Sequence, residues 1–386
     1  MTTIPATSQP MARLNSETMP LVFVNLLQST GTKGGMETYA RELYREIGRL
    51  NTGFDFVGYG SSELMTTDLS WFPGEVVDSK ISGENRLSWA YGELFQVARA
   101  AQNAGADLIH GPSMFGPLHS RIPVVISVHD LLYFSHPELM PTKLFTEPVK
   151  WMEKRGAANA TRLITISEYS AAAIRTYLKF PADHIDMIPL AGRTPPASQV
   201  PSTARATDLF LAIGQRSPYK NFETVLRAWG LMTPADRPRL VITGSHGDDP
   251  LVPLVQSLGL ADSVELKSWV PTDELHELFA TATALIDSTL ATGFSLPTLE
   301  AMMIGLPVIL ADTEIFREVG ADAADYFTAG DPVDLARAVR TLSANPARRS
   351  ELAALGLARS SQFSWNRVAT ETMASFELAL AEGKRA

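Results

Sequence analysis

The 386-residue sequence contains no cysteine. That excludes a disulfide framework, a thiolate metal site and a cysteine nucleophile, and it fits a reducing compartment. It also lacks any apolar run near the roughly 18 to 20 residues that a bilayer-crossing helix needs. No Asp-x-Asp triplet occurs, and the seven histidines show no His-Glu-x-x-His spacing, so neither a metal nor a cofactor is expected. Positive charge is in deficit: 33 Lys and Arg stand against 42 Asp and Glu, a formal −9. Whole-molecule attraction to nucleic acid or anionic lipid is therefore not the basis of function, and any basic site must be local. What remains is 45% hydrophobic and 19% charged, the balance of a folded protein long enough for two domains. Residues 1–18 are rich in Thr, Ser and Pro, lack the apolar centre of a secretory signal, and are expected to form a disordered leader.

From residue 21 onward, short apolar runs alternate with stretches of helical spacing. Strands are expected at 21–27, 54–59, 107–110, 123–128, 162–166 and 185–190, with helices from 36 and at 85–103, 142–159 and 170–179. Proline-rich residues 191–206 break the pattern and read as a linker. A second set of strands is expected at 208–213, 240–243, 264–266, 284–286 and 307–310. Helices are expected there at 221–231, 251–258, 272–281, 297–304 and 332–342, and one long closing helix at 365–382. Continuous apolar strands alternating with helices imply parallel sheets covered on both faces. The expected fold class is α/β: two doubly wound domains, 19–190 and 207–363, facing across a cleft, with residues 364–386 crossing back to the first. A ligand would lie between them, at the C-terminal strand ends.

Four stretches carry the candidate chemistry. Thr292-Gly293-Phe294-Ser295-Leu296-Pro297 leads into a helix holding Glu300, read here as a first-turn residue. Free amides there can meet a phosphate or sugar edge, and Glu300 can accept two adjacent ribose hydroxyls or merely complement the helix dipole. Arg216 and Lys220 lie four apart around Ser217-Pro218 and can converge on a diphosphate, or be two solvated cations. Gly34-Gly35, with Glu37 behind it, opens a helix straight after the first strand, a pairing that any tight strand-to-helix turn can use. His129-Asp130 ends an apolar strand; the imidazole can bind a hydroxyl or take a proton, with Asp130 orienting it or capping the next turn.

In this order, the stretches resemble the retaining family-4 glycosyltransferases of the GT-B fold, with two Rossmann-like domains. The likeness runs from residue 21 to the final helix. It rests on Gly34-Gly35-x-Glu37, His129-Asp130, Ile166-Ser167-Glu168-Tyr169-Ser170, Arg216 with Lys220-Asn221, and Gly293-Phe294-x-Leu296-Pro297-x-Leu299-Glu300. The resemblance implies that Gly35 approaches the donor diphosphate or the acceptor and that His129 contacts the transferred sugar. It implies that Arg216 and Lys220 hold the diphosphate, that the amides from Gly293 to Leu296 line the sugar, and that Glu300 takes the ribose. Ser167, Gly34 and Asp130 are secondary candidates on the acceptor side, Ser167 being equally an N-cap. One departure stands out: Thr292 occupies the position where the family carries a first glutamate.

Within that resemblance, the sequence looks most like bacterial mannosyl- and hexosyltransferases of surface-polysaccharide assembly. The expected donor is GDP-mannose, with a UDP-hexose next, and the expected acceptor a glycan or lipid-linked oligosaccharide, with transfer retaining and metal-independent. Alternatives are a catalytically weak nucleotide-sugar- or glycan-binding subunit, because of Thr292, and a sugar-nucleotide epimerase. Residues 143–179 hold seven basic residues against three acids, a local +4 that can meet anionic headgroups or form an ordinary solvated face. The protein is expected to be cytoplasmic, with possible peripheral contact on the inner face of the plasma membrane.

Overall fold

The computed structural model describes residues 19–31, 34–50, 52–140, 142–193 and 208–383. The expected leader lies outside these residues, as does the expected linker beyond Arg193. The first sheet contains β1 (Leu21–Leu26), β2 (Asp55–Gly60), β3 (Glu75–Asp78), β4 (Leu108–Gly111), β5 (Val124–Val128), β6 (Arg162–Thr165) and β7 (Ile185–Met187). Its order is β3-β2-β1-β4-β5-β6-β7. The second contains β8 (Leu209–Ile213), β9 (Arg239–Ser245), β10 (Val264–Ser268), β11 (Ala284–Asp287), β12 (Val308–Ala311) and β13 (Asp325–Phe327), in the order β10-β9-β8-β11-β12-β13. Every pairing is parallel. Both sheets reverse direction of growth beside their first strand, at β1/β4 and β8/β11, the switch points where doubly wound sheets receive ligands.

The sequence dictates this through burial on both faces. All five side chains of β5 and all four of β12 are buried, and only helices on either side of a parallel sheet can supply that cover. The edge strands β3 and β13 were not expected, because both are short and partly exposed. Helices Glu314–Gly320 and Pro346–Ser360 were also missed. The closing helix Trp365–Gly383 does cross back: Val368, Ala369, Phe376 and Ala379 join the first-lobe core with Tyr44, Leu108 and Ile164. Fully burying a side chain such as Phe376 is worth roughly 1.5–3 kcal/mol. At its far end Arg162 binds Glu382 at 2.7 Å and Asp186 at 2.7 Å.

The lobes also touch directly at the cleft. Ser167 Oγ donates to the Gly293 carbonyl at 2.8 Å, and Glu318 of the second lobe accepts from the Glu168 and Tyr169 amides at 2.8 and 3.2 Å. A Cβ on Gly293 would sit 1.9 Å from the His129 carbonyl oxygen. Glycine at 293 therefore permits the close approach of these two segments, one from each lobe. Two hollows of about 510 and 620 Å³ lie at the opposite, N-terminal edge of the first sheet, beneath the closing helix. Their lining includes no residue of the cleft.

Candidate functional site

His129 lies just beyond β5 and is buried, with Tyr39 packed edge-on at 4.7 Å. Its Nε2 lies 2.9 Å from the Pro112 carbonyl, which can only accept, so Nε2 carries the hydrogen and Nδ1 of the neutral ring is an acceptor. Burial pulls its pKa down to about 4. Near neutral pH the imidazole therefore accepts a hydrogen bond and is a poor proton acceptor. Asp130 accepts from the Leu132 amide at 3.2 Å, capping the adjoining turn, and burial raises its pKa. Ser167 does both things open to it: its Oγ caps the helix Glu168–Ala173 through the Ser170 amide and donates to the second lobe. Gly34 and Gly35 open the helix Gly35–Ile47 without a side-chain cap, and a Cβ on either would meet nothing within 4 Å. Behind them Glu37 folds the loop by accepting from the Thr30 and Gly31 amides, each at 3.1 Å.

The two cations of the second lobe have separate fates. Lys220 runs over Gly214, whose missing Cβ would lie 3.1 Å from its Cε, and its ammonium donates to Thr289 Oγ1 at 3.2 Å. Thr289 in turn donates to the buried Asp287, which also accepts from Ser295 Oγ at 2.7 Å. Arg216 turns away. Its Nε and Nη2 hold Asp249 at 2.9 and 2.8 Å, and its Nη atoms reach the carbonyls of Gly214, Thr243, Ile242 and Lys267. All five N–H groups of the guanidinium have acceptors, and the side chain is 6% exposed. In this structure Arg216 does not converge with Lys220: it ties β8 to β9 and the Asp249 loop, whereas the Lys220 ammonium bonds only Thr289 among the described residues.

Ser295 caps the helix Leu296–Met303, its Oγ accepting from the Thr298 amide at 3.4 Å, with Pro297 in the first turn as its fixed φ favours. Glu300 is the fifth helical residue, so it belongs to the second turn rather than the first. Its carboxylate accepts from Arg193 Nε at 2.7 Å, Nη2 at 3.2 Å and the Arg193 amide at 3.3 Å. Thr292 donates its hydroxyl to the Phe294 carbonyl within its own loop. Phe294 and Leu296 face the core that joins the two lobes, Phe294 packing against Phe363 at 5.9 Å.

The residues that sequence reading missed are Asp287, Thr289, Arg193 and Glu318. Only Asp287 left a trace, as the single charge closing the apolar run Ala284-Leu-Ile. The basic segment is also less uniform than its composition implied. Arg162 is buried at the far edge of the sheet, Arg175 pairs with Glu168 at 2.5 Å, and Lys150 and Lys154 lie over the Phe134 ring. Among the described residues no group of His, Asp and Glu is placed to hold a metal ion.

With this geometry, the matches to known proteins are specific. Residues 33–191 match the Glycosyltransferase Family 4 model and residues 198–356 the Glycosyl transferases group 1 model. The chain is 30% identical to O-antigen chain mannosyltransferase B from Escherichia coli over 291 residues, covering 70% of this chain and 74% of that protein. It is 27% identical to the MMP alpha-(1->4)-mannosyltransferase of Mycolicibacterium hassiacum, covering 83% and 79%. Its fold superposes on sucrose-phosphate synthase from Thermosynechococcus elongatus with a TM-score of 0.74 at 18% identity, over 94% of this chain and all of that one. The chain belongs to the GT-B glycosyltransferases with a family-4 first lobe and a group-1 second lobe. It is a hexosyltransferase. Among the described residues no helix is long and apolar enough to cross a membrane.

Proposed function

We propose that the protein transfers mannose from GDP-mannose, with retention and without a metal, to a hydroxyl of a glycan or lipid-linked oligosaccharide. The observation that carries this reading is the 30% identity to an O-antigen chain mannosyltransferase over most of both chains. The roles derive from the cleft. Lys220, aimed by Thr289 and Asp287, neutralises the diphosphate as it departs. The uncapped amides at Gly35 meet the same anion. Neutral His129 accepts from a hydroxyl of the transferred sugar, the amides from Gly293 to Leu296 line it, and Glu300 takes the ribose. The exposed Trp151, with Arg155 against its ring at 6.0 Å, gives the helix Lys143–Asn159 a footing on the inner leaflet.

The test is transfer from labelled GDP-mannose, UDP-glucose and UDP-galactose to extracted lipid-linked oligosaccharide, with and without EDTA. Mannose incorporation that EDTA leaves intact, with an α-linked product by NMR, is expected. Incorporation from a UDP-hexose alone overturns the donor assignment. A second reading has its own support: Thr292 is neutral and bonded within its loop, which favours a nucleotide-sugar-binding subunit. Binding of GDP-mannose without turnover, relieved by Thr292→Glu, would establish that reading instead.

A further inference from the structure

The imidazole of His129 is fixed by hydrogen bonding at one point, where Nε2 donates to the Pro112 carbonyl at 2.9 Å. The outer torsion of a histidine is broad, so one bond does not set the plane of the ring or the direction of Nδ1. A second constraint comes from Tyr39, on the helix Gly35–Ile47, whose ring stands at 80° to the imidazole with the centroids 4.7 Å apart. Tyr39 is itself held from two sides. Its hydroxyl lies 3.0 Å from Ser127 Oγ, on β5 two residues before His129. Ser127 Oγ is also 3.0 Å from His110 Nε2, and His110 Nδ1 is 2.5 Å from the hydroxyl of Tyr44, on the same helix as Tyr39. The series Tyr39, Ser127, His110 and Tyr44 thus ties the helix to β5 and β4 and closes on itself through the helix. None of the four is more than 1% exposed. A buried polar network in which every member has a partner fixes one arrangement of its side chains. On its other side the Tyr39 ring meets that of Trp365, the first residue of the closing helix, at 6.3 Å. Trp365 Nε1 donates to the Gly192 carbonyl at 3.0 Å, and a Cβ on Gly192 would lie 3.2 Å from Glu300 Cγ. Tyr39 therefore stands between His129 and the crossing segment that abuts Glu300.

We propose that Tyr39 is the positioning residue for His129: its anchored ring sets the imidazole plane so that Nδ1 is presented to a hydroxyl of the transferred sugar. This rests on the reading of His129 as a contact of the donor sugar. At 1% exposure Tyr39 is sealed from the cleft, so it acts through His129 and makes no ligand contact of its own. Its packing against Trp365 means that the closing helix backs the same contact from behind.

The test compares calorimetric Kd values for GDP-mannose and GDP on the full chain, since only GDP-mannose carries the sugar. His129→Ala should raise the Kd for GDP-mannose by about tenfold, the scale of one lost hydrogen bond, and leave that for GDP within about twofold. Tyr39→Leu should give the same selective loss, because the imidazole remains but its plane is no longer set. Tyr39→Met fills more of the space with a flexible chain and should match it, so the result does not depend on Tyr39→Leu folding. Tyr39→Phe, which keeps the ring and gives up only the bond to Ser127, should recover most of the loss. Leu43→Ala opens a cavity one turn along the same helix, at a fully buried position. It should lower Tm at least as far as Tyr39→Leu while leaving both Kd values within about twofold. In NMR spectra the His129 ring resonances should be single in wild type and Tyr39→Phe, and broadened or doubled in Tyr39→Leu or Tyr39→Met. An unchanged GDP-mannose Kd in Tyr39→Leu or Tyr39→Met, or an equal selective loss in Leu43→Ala, overturns the proposal. If His129→Ala itself leaves the GDP-mannose Kd unchanged, the sugar contact fails and takes the positioning role with it. If wild type binds neither nucleotide, the transferase reading fails as a whole.

Discussion

Some buried carboxyls of the two lobes are held in opposite ways, although Glu37 of the first lobe pairs with Arg41 and Asp287 of the second has only amide and hydroxyl donors. In the first lobe Glu93 and Glu153 are buried and Asp130 is half-buried, none with a cation in contact among the described residues, and desolvation raises the pKa of each. In the second lobe Asp249 and Glu300 are nearly as buried, yet each is gripped by an arginine at 2.9 Å or less. Burial pushes Asp249 up, but the bonds from Arg216 and the Leu251 amide outweigh it and hold it below its ordinary value. Where arginine and amide bonds reach a buried carboxyl, as at Asp249, they outweigh burial and favour the ionised form; where no cation does, as at Glu93 and Glu153, burial prevails and favours the protonated form.

The largest effect that tests this contrast lies within the second lobe. Arg216→Ala leaves Asp249 buried without its cation and should destabilise the protein by about 3–5 kcal/mol, as loss of one partner of a buried pair does. Lys220→Ala removes a group whose ammonium is bonded to Thr289 alone among the described residues and should leave the urea midpoint near wild type. It should instead lower kcat/KM by about 2–4 kcal/mol of transition-state stabilisation, the scale of losing a preorganised charge-stabilising donor. Urea unfolding and transfer kinetics on both variants separate the two. Equal stability losses would show that Lys220 is also a structural cation.

This pair marks the limit of what the sequence displays. Apolar runs such as Val124–Val128 are visible as strands because burial on both faces leaves no polar alternation, and the order of strand, glycine turn and helix points to the cleft. Edge strands like Glu75–Asp78 are half exposed and carry no such signal. Within the site, a spacing of four places Arg216 and Lys220 on one loop but says nothing of direction. Direction is decided by Asp249, 33 residues on, for one and by Thr289, 69 residues on, for the other. Likewise Glu300 is legible as a helix carboxylate, whereas its grip by Arg193 spans 107 residues. Residues that come together only through tertiary packing have no sequence period to reveal them.

A smaller effect distinguishes the lobes by pH. Glu93 accepts from Asn25 Nδ2 at 2.5 Å and Trp89 Nε1 at 3.1 Å, and burial pushes its pKa from an ordinary 4.5 up to about 7. Between those values the folded state holds a proton that the unfolded chain has released. Its contribution to stability is thus full below pH 4.5 and drains as pH rises to about 7, at up to about 1.4 kcal/mol per pH unit. Asp130 and Glu153 act in the same direction. Asp249 acts oppositely: its contribution is present above its unfolded pKa and is lost as pH falls. Glu93→Gln should therefore gain on wild type steadily from pH 5 to pH 7 in urea midpoint, then hold that gain. Parallel profiles would mean that Glu93 is ionised in the fold, and the contrast between lobes would lose its clearest member.

The smallest expected effect sharpens the second lobe's side. A carboxylate offers about four lone-pair sites, and Arg193 occupies Glu300 through its Nε, its Nη2 and its main-chain amide. Two ribose hydroxyls would bring the donors to five, so one Arg193 bond must yield when the nucleotide binds. Arg193→Ala removes that competition and leaves Glu300 under-satisfied in the free protein, a state that the ribose relieves. Calorimetry should therefore show GDP binding several-fold more tightly to Arg193→Ala, about 1 kcal/mol for one exchanged hydrogen bond. The gain should vanish with 2′,3′-dideoxy-GDP, which lacks both hydroxyls. Weaker GDP binding would reverse the assignment, making Arg193 the residue that holds Glu300 in place for the ribose rather than its rival.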